Sequence, residues 1–305
     1  MANQELSDLS CRVCGSAAIV YLCDTYNEYS KSTILQHYRC IACGSVFVGN
    51  RIDSEELGVA YAAQYSETYY DEIESVNKKK MAVAIGHLGD LISPDDSLID
   101  IGTGDGLFVE LIHRAGFTNV SAHEIPGSNL VKIENIARHL YQDFDYGSIP
   151  SNSFAAVTLL DVVEHVINPQ YLIEVCRRIL KSNGVIYFHT PVVTTTDRMM
   201  HFLLRIPIVK KFGIIWQKGR TSIFHLENYT PESLKILLER AGFSDIRIEV
   251  KNELSWPVTR YIRVYLLEKQ GLPGFLAPLF LPVFYLLLAT DLFNANKAIV
   301  SARKA

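Results

Sequence analysis

The sequence has no excess of basic charge: 29 lysines and arginines stand against 33 aspartates and glutamates, a formal net charge of −4. Neutralising a phosphate backbone needs a positive field, so a general nucleic-acid binder is disfavoured. Internal repeats and low-complexity segments are absent. With 49% hydrophobic and 20% charged residues, the 305-residue chain is neither disordered nor fibrous. A chain of this size buries roughly three quarters of its unfolded surface and needs no disulfide scaffold. The first ten residues, MANQELSDLS, lack the basic start and apolar run of a secretory signal. A cytoplasmic protein with reduced thiols is expected.

Six cysteines then need a reason, and four supply one. Cys11-Arg-Val-Cys14-Gly and Cys40-Ile-Ala-Cys43-Gly are two copies of one C-x-x-C-G knuckle. Each tight turn aims two thiolates at one point, and tetrahedral zinc wants four. A redox pair predicts one copy. Cys11, Cys14, Cys40 and Cys43 therefore read as a structural zinc site in a ribbon over residues 1–50. Four thiolates leave no open position for catalysis, and His37 is an alternative ligand. Cys23 and Cys176 lie outside the pattern and read as packed small hydrophobes.

Residues 51–95 read as a helical linker or lid. Tyr61, Tyr65 and Tyr69 recur every four residues ahead of Lys78-Lys79-Lys80, as a packed aromatic stripe or as a cleft lining. From residue 96 strands and helices alternate. Strands are expected at 97–102, 120–125, 154–162, 184–190, 245–250 and 298–302. Helices are expected at 107–115, 129–139, 169–180 and 231–241, with Thr230 as the last one's N-cap. Such alternation gives an α/β, Rossmann-like, doubly wound and mostly parallel sheet, with seven strands.

The first of these strands ends in Asp100-Ile-Gly102-Thr-Gly104-Asp-Gly106, with a helix at once behind it. Glycines let the backbone approach a ligand closely, and the helix start offers amide donors. Glu124 ends the next strand, about twenty residues on, where an acid accepts ribose hydroxyls. The third glycine of a dinucleotide fingerprint is missing, because Leu107 and Val109 hold the two positions it could take. An adenosine cofactor fits; NAD does not.

These residues carry a family resemblance. The run LIDIGTGDGLF resembles the first motif of class I S-adenosylmethionine-dependent methyltransferases. Leu160-Asp-Val-Val-Glu164-His165-Val is similar to the "LEHV" block of their small-molecule branch. Arg178-Ile-Leu-Lys181-Ser-Asn-Gly184, Thr190-Pro191, and the His225 to Leu234 run match later blocks, and VSARK resembles the last strand. The ribbon and tyrosine-rich segment resemble zinc-bearing methyltransferases of bacterial sugar and surface-polysaccharide pathways. The C-terminal domain of nucleotide-sugar C-methyltransferases is not recognisable.

The resemblance implies S-adenosylmethionine as cofactor, beside structural zinc. It implies that Asp100, Gly102, Gly104 and Gly106 hold the methionine end, that Glu124 takes the ribose, and that Ile125 lies against the adenine. Asp143, favoured over Asp145, accepts the adenine amino group. Asp161 lies where the fourth strand opens toward the sulfonium. Catalysis is then mostly alignment of nucleophile, methyl and sulfur. A base, where one is used, is His165 or His189; transfer without a side-chain base stays open.

Two apolar insertions, 195–222 and 254–292, interrupt the domain that runs from 96 to 305. Between Arg198 and Arg220 there are six basic and no acidic residues, as on a segment facing anionic lipid. Gly271–Thr290 is uncharged, but Pro273, Pro278 and Pro282 break any single straight span. Broken or re-entrant helices are expected, with peripheral contact at the inner membrane face; a substrate lid or dimer face is the alternative. The expected activity is methyl transfer to a small-molecule, glycan or lipid-linked acceptor, at oxygen. An RNA base methyltransferase with a zinc ribbon and a non-catalytic binding module are the competing classes. Oligomeric state is left open.

Overall fold

Short apolar runs rich in β-branched residues build the strands, and helices with one apolar stripe cover them. The structure is a computed structural model that describes residues 9–26, 34–50, 67–126, 128, 130–204, 206, 225–253, 258–268, 271 and 273–305. In chain order come β1 (Ile19–Tyr26), β2 (Ile34–Cys40), β3 (Val46–Val48), α1 (Glu67–Gly89), β4 (Leu98–Ile101), α2 (Leu107–Arg114), β5 (Val120–Glu124) and β6 (Leu140–Gln142). There follow β7 (Phe154–Leu160), α3 (Pro169–Ile179), β8 (Leu180–Pro191), α4 (Thr195–Leu203), β9 (Glu227–Asn228), α5 (Pro231–Arg240) and β10 (Phe243–Lys251). The last elements are α6 (Val258–Tyr261), α7 (Ala277–Leu288), α8 (Asp291–Asn294) and β11 (Lys297–Lys304).

Two compact units share the chain. One comprises Met1–Gln64, Pro191–Leu234 and Val250–Ala298, and the other Tyr65–Thr190, Lys235–Glu249 and Ile299–Ala305. The second holds most of a seven-stranded sheet of order β10-β11-β8-β7-β4-β5-β6. The five strands from β6 to β8 run parallel. The fold is the α/β Rossmann-like arrangement expected. Every residue of β4 is buried, as suits a strand covered on both faces. Phe108, Val109 and Ile112 of α2 meet Ala84 and Leu88 of α1 and Leu98 of β4 in one core. Asn168 caps α3 by accepting the Tyr171 amide at 3.1 Å, with Pro169 opening the helix. Strand order reverses at β4 and β7, and ligands of such sheets sit outside the strand ends at that switch point.

One expected helix does not form. Among the described residues, 130–139 hold only a 3₁₀ turn, Val131–Ile133. The Arg138 amide is drawn to the Val120 carbonyl at 2.7 Å, and the Ala122 amide donates to His139 at 3.0 Å. Pairing with β5 ends the turn and starts β6, so tertiary contacts override local propensity. β8 likewise begins at Leu180, earlier than the 184 expected.

The other unit carries an antiparallel sheet of order β1-β2-β3-β9. A separate apolar cluster joins Met200 of α4 with Val258, Ile262, Leu267 and Ala277. The Gly271–Thr290 stretch is broken, as expected: a 3₁₀ turn at Gly274–Leu276 precedes α7, which contains Pro282. Among the described residues no helix is long and apolar enough to cross a membrane. Residues 207–224 of the basic insertion, with Tyr61 and Tyr65, lie outside the described residues.

Candidate active site and metal centre

The loop after β4 is held from the neighbouring strand. The Gly102 amide donates to His123 of β5 at 2.9 Å, and the Gly104 amide to Glu124 Oε2 at 2.8 Å. Glu124 Oε1 accepts its own neighbour's amide, Ile125, at 2.8 Å. Gly106 opens α2 with φ +85°, and a Cβ there would stand 2.6 Å from Ile133. Only glycine suits that position. Bare backbone thus faces the strand ends of β4, and a carboxylate stands at the end of β5. Asp100 lies beneath the loop, buried, and accepts Thr158 Oγ1 at 2.6 Å. Burial pushes its carboxyl up to about 7, against the pull of the Thr158 hydrogen bond.

Ile125 is exposed beside Glu124. Asp143 organises the chain after β6: its carboxylate accepts the amides of Tyr146 at 2.6 Å and Ser148 at 3.0 Å, the Ser148 hydroxyl, and His123 Nε2 at 3.3 Å. Burial acts to raise it, but these donors hold it below the usual carboxylate range. Asp145, the alternative, is exposed and accepts the Gly147 amide at 3.0 Å. The loop glycines, Glu124, Ile125 and Asp143 all belong to one unit and to adjacent strand ends.

Asp161 follows β7 with φ +60°, and its amide donates to the His189 carbonyl at 3.1 Å. Its carboxylate meets Lys80 of α1 at 3.5 Å. Lys80 escaped the sequence reading as one of three consecutive lysines. A signal existed: it precedes the buried Ala84 and Leu88 at four-residue steps, on the inward stripe of α1. Glu164 is fully buried, its Oε2 accepting Thr190 Oγ1 at 3.1 Å. Burial lifts it to about 8, opposed by Thr190 and Lys80. Sequence reasoning gave it no role.

The two histidines differ. His165 is half-buried on the turn after β7, its amide bonded to the Val162 carbonyl at 3.0 Å. His189 is buried near the end of β8, and its Nε2 meets the Tyr187 hydroxyl at 2.7 Å. That hydroxyl also meets His87 Nδ1 at 3.1 Å. Burial, then Lys80 and His87, push the His189 imidazole down to about 3.

In the other unit the two knuckles fold alike. The Gly15 amide donates to the Cys11 carbonyl at 2.8 Å and the Gly44 amide to the Cys40 carbonyl at 3.0 Å, with φ +76° and +77° at the two glycines. The four sulfurs lie within 4.8 Å of one another, with Cys11–Cys43 at 3.6 Å and Cys14–Cys40 at 3.5 Å. Ligands about 2.3 Å from a tetrahedral zinc stand about 3.8 Å apart, so the donor set fits that ion. The Ser45 hydroxyl reaches Cys11 at 3.4 Å and Cys43 at 3.3 Å, as an outer-shell donor would. His37 lies in β2, buried, outside this cluster. Burial, then His201, lowers it to about 4. Cys23 and Cys176 are buried and form no disulfide.

The ubiquinone biosynthesis O-methyltransferase of Neisseria meningitidis serogroup A is 21% identical over 173 residues, 52% of this chain and 71% of that protein. Its Caulobacter vibrioides counterpart is 29% identical over 153 residues, 47% of this chain and 57% of the relative. A Haemonchus contortus phosphoethanolamine N-methyltransferase 2, solved with S-adenosyl-L-methionine, superposes with a TM-score of 0.52. It is 18% identical and covers 85% of this chain and 61% of that one, a likeness of fold. A family model described as a methyltransferase domain matches residues 73–248, more than half of the chain, from within α1 through most of β10. With the glycine loop, the Glu124 contact and the strand order inside that match, the chain belongs to the methyltransferase-domain family.

Proposed function

We propose that the protein transfers a methyl group from S-adenosylmethionine to an oxygen of a small-molecule, glycan or lipid-linked acceptor. The observation that carries the reading is the Glu124 carboxylate bonded to the Gly104 amide, which brings a ribose acceptor and bare loop backbone to one point. The curated relatives, named as O-methyltransferases, support oxygen as the methylated atom. The cofactor, when bound, supplies an electrophilic methyl on a sulfonium.

The chain's own residues then divide the work. Gly102, Gly104 and Gly106 admit the methionine end, with Asp100 bracing the loop from below. Glu124 accepts the ribose hydroxyls and Ile125 lies on the adenine. Asp143, which also holds the turn after β6, accepts the adenine amino group. Asp161, held by Lys80, sets a negative charge toward the sulfonium side. His165 takes the acceptor's proton; burial, then Lys80 and His87, lowers the His189 imidazole to about 3, which suits it poorly to the task. Residues 1–50 form the zinc ribbon, 51–95 a helical lid, and 96–305 the methyltransferase domain. The enzyme works on the cytoplasmic side, in peripheral contact with the membrane.

Calorimetry with S-adenosylmethionine, S-adenosylhomocysteine and NAD tests the cofactor: binding of the first two and not the third is expected. Labelled methyl transfer into fractionated cell extract tests the acceptor class. NAD binding, or no binding of either sulfur compound, would overturn the reading.

A further inference from the structure

His123 is a buried histidine that the transfer chemistry does not use, and it touches both walls of the cofactor site. Its main-chain carbonyl accepts the amides of Gly102 at 2.9 Å and Thr103 at 3.2 Å, so it holds the loop after β4. Its ring turns to the chain after β6. There Nε2 lies 3.1 Å from the Asp143 carbonyl oxygen and 3.3 Å from Asp143 Oδ1. Both of those atoms accept, so Nε2 carries a proton and donates. The other ring nitrogen, Nδ1, is buried and makes no hydrogen bond among the described residues. The Tyr146 ring packs against the imidazole with centroids 4.7 Å apart. A buried polar atom without a partner is a cost, and an apolar residue would fill this buried strand position without it. The bond from Nε2 to Asp143 is what accounts for a histidine here.

We propose that His123 is a positioning residue for recognition of the adenine 6-amino group, acting through Asp143. This rests on the methyltransferase reading above and deepens it, by naming what makes that site selective for its base. The other donors to the Asp143 carboxylate are local: the Tyr146 amide reaches Oδ1 at 2.6 Å, and the Ser148 amide reaches Oδ2 at 3.0 Å. They belong to the turn that Asp143 itself builds, and they move with it. His123 comes from β5, and the next residue of that strand is Glu124, the ribose acceptor of the proposed function. The ring therefore sets the carboxylate against Glu124 and not merely against its own loop. Burial acts to raise the Asp143 carboxyl, but Ser148, Tyr146 and His123 together hold it in the accepting form. A carboxylate so placed accepts a 6-amino hydrogen, whereas a 6-oxo group would set lone pairs against it.

Calorimetry with S-adenosylhomocysteine and with S-inosylhomocysteine, its 6-oxo counterpart, tests this on the full chain. Wild type should prefer the adenine compound by at least about tenfold, as a site built around a hydrogen bond does. His123→Leu keeps the main-chain carbonyl that holds Gly102 and Thr103, so affinity for the inosine compound should stay near wild type. Affinity for S-adenosylhomocysteine should fall about three- to tenfold, which narrows the preference. His123→Gln presents an amide N–H toward Asp143 and should restore the preference to within about twofold of wild type. A second measurement needs no variant: imidazole nitrogen NMR of wild type should find the proton on Nε2 of His123. That resonance should shift on adding S-adenosylhomocysteine and respond far less to the inosine compound. A preference unchanged in His123→Leu, an equal loss for both compounds, or a proton on Nδ1 in place of Nε2 overturns the inference. Equal wild-type affinity for the two compounds overturns it while the cofactor reading stands. Wild type that binds neither compound removes the methyltransferase reading and this inference with it.

Discussion

The Gly104 amide donates to Glu124 Oε2 across 2.8 Å, joining the loop after β4 to the last residue of β5. One carboxylate thereby fixes the loop, and in the proposed function it is also the group that takes the cofactor ribose. Glu124→Ala should weaken S-adenosylmethionine binding by roughly 1–3 kcal/mol, the cost of leaving its partners unpaired. Glu124→Gln keeps an oxygen for the Gly104 amide and should lose less. Calorimetry on both variants orders them, and equal affinity to wild type would move the ribose site elsewhere.

Gly106→Ala combines two costs. The position has φ +85°, and the new Cβ would stand 2.6 Å from Ile133. A loss of about 1–3 kcal/mol in stability is expected. The nearest atom is Ile133 Cγ2, so in an Ile133→Ala background, which removes it, Gly106→Ala should cost less than it does in wild type, leaving the backbone part.

The parallel sheet and the glycine loop were readable because their signals are local: a run of buried residues, then glycines, then a helix. The residues at 129–139 misled for the opposite reason. Leu130, Ile133 and Ile136 have helical spacing, but the Arg138 hydrogen bond to Val120 comes from a strand that sequence does not place nearby. Lys80 hid within a lysine run although its inward stripe was visible. The depression of His189 depends on the depth of the sheet, then on Lys80 and His87, which only the fold brings beside it.

Glu164 makes a pH-dependent prediction. Its carboxyl is raised to about 8 in the fold from an ordinary 4.5, so the folded state holds its proton more tightly than the unfolded. The stability linked to that proton is fully present below pH 4.5 and is lost as pH rises through 8. Glu164→Gln cannot ionise and keeps a polar partner for Thr190. Its melting temperature relative to wild type should therefore climb between pH 5 and 8 and then level off, a gain on the order of a few kcal/mol. A difference independent of pH would contradict the assignment.

About one zinc per chain should be found by metal analysis, and Cys40→Ser should lose it while the seven-stranded sheet survives. The structure extends the consequence. Thr230 Oγ1 donates to the Cys43 carbonyl at 2.7 Å, and β3 pairs with β9 through Phe47 and Glu227. Chelation should therefore raise hydrogen exchange at 225–230 as well as at 11–48. Exchange confined to the knuckles would mean that β9 stands without the metal.

The proton acceptor separates two histidines that the motifs alone could not rank. His189 is lowered to about 3, so it stays neutral at working pH, and Tyr187 already occupies its Nε2. A base that weak gains little from accepting a proton in the transition state, whereas a group with its pKa near the operating pH contributes most. His165→Ala should lower kcat about 10²–10³-fold with cofactor affinity unchanged. His189→Phe should instead act on stability. Its folded pKa lies below the ordinary 6.5, so the stability linked to the neutral ring is present above pH 6.5 and lost as pH falls toward 3. Removing the histidine should flatten that acid limb. A pH–rate profile for each variant decides the matter: wild type and His189→Phe should share one acidic limb, and His165→Ala should lack it. If His165→Ala keeps both its rate and its limb, transfer proceeds by alignment alone.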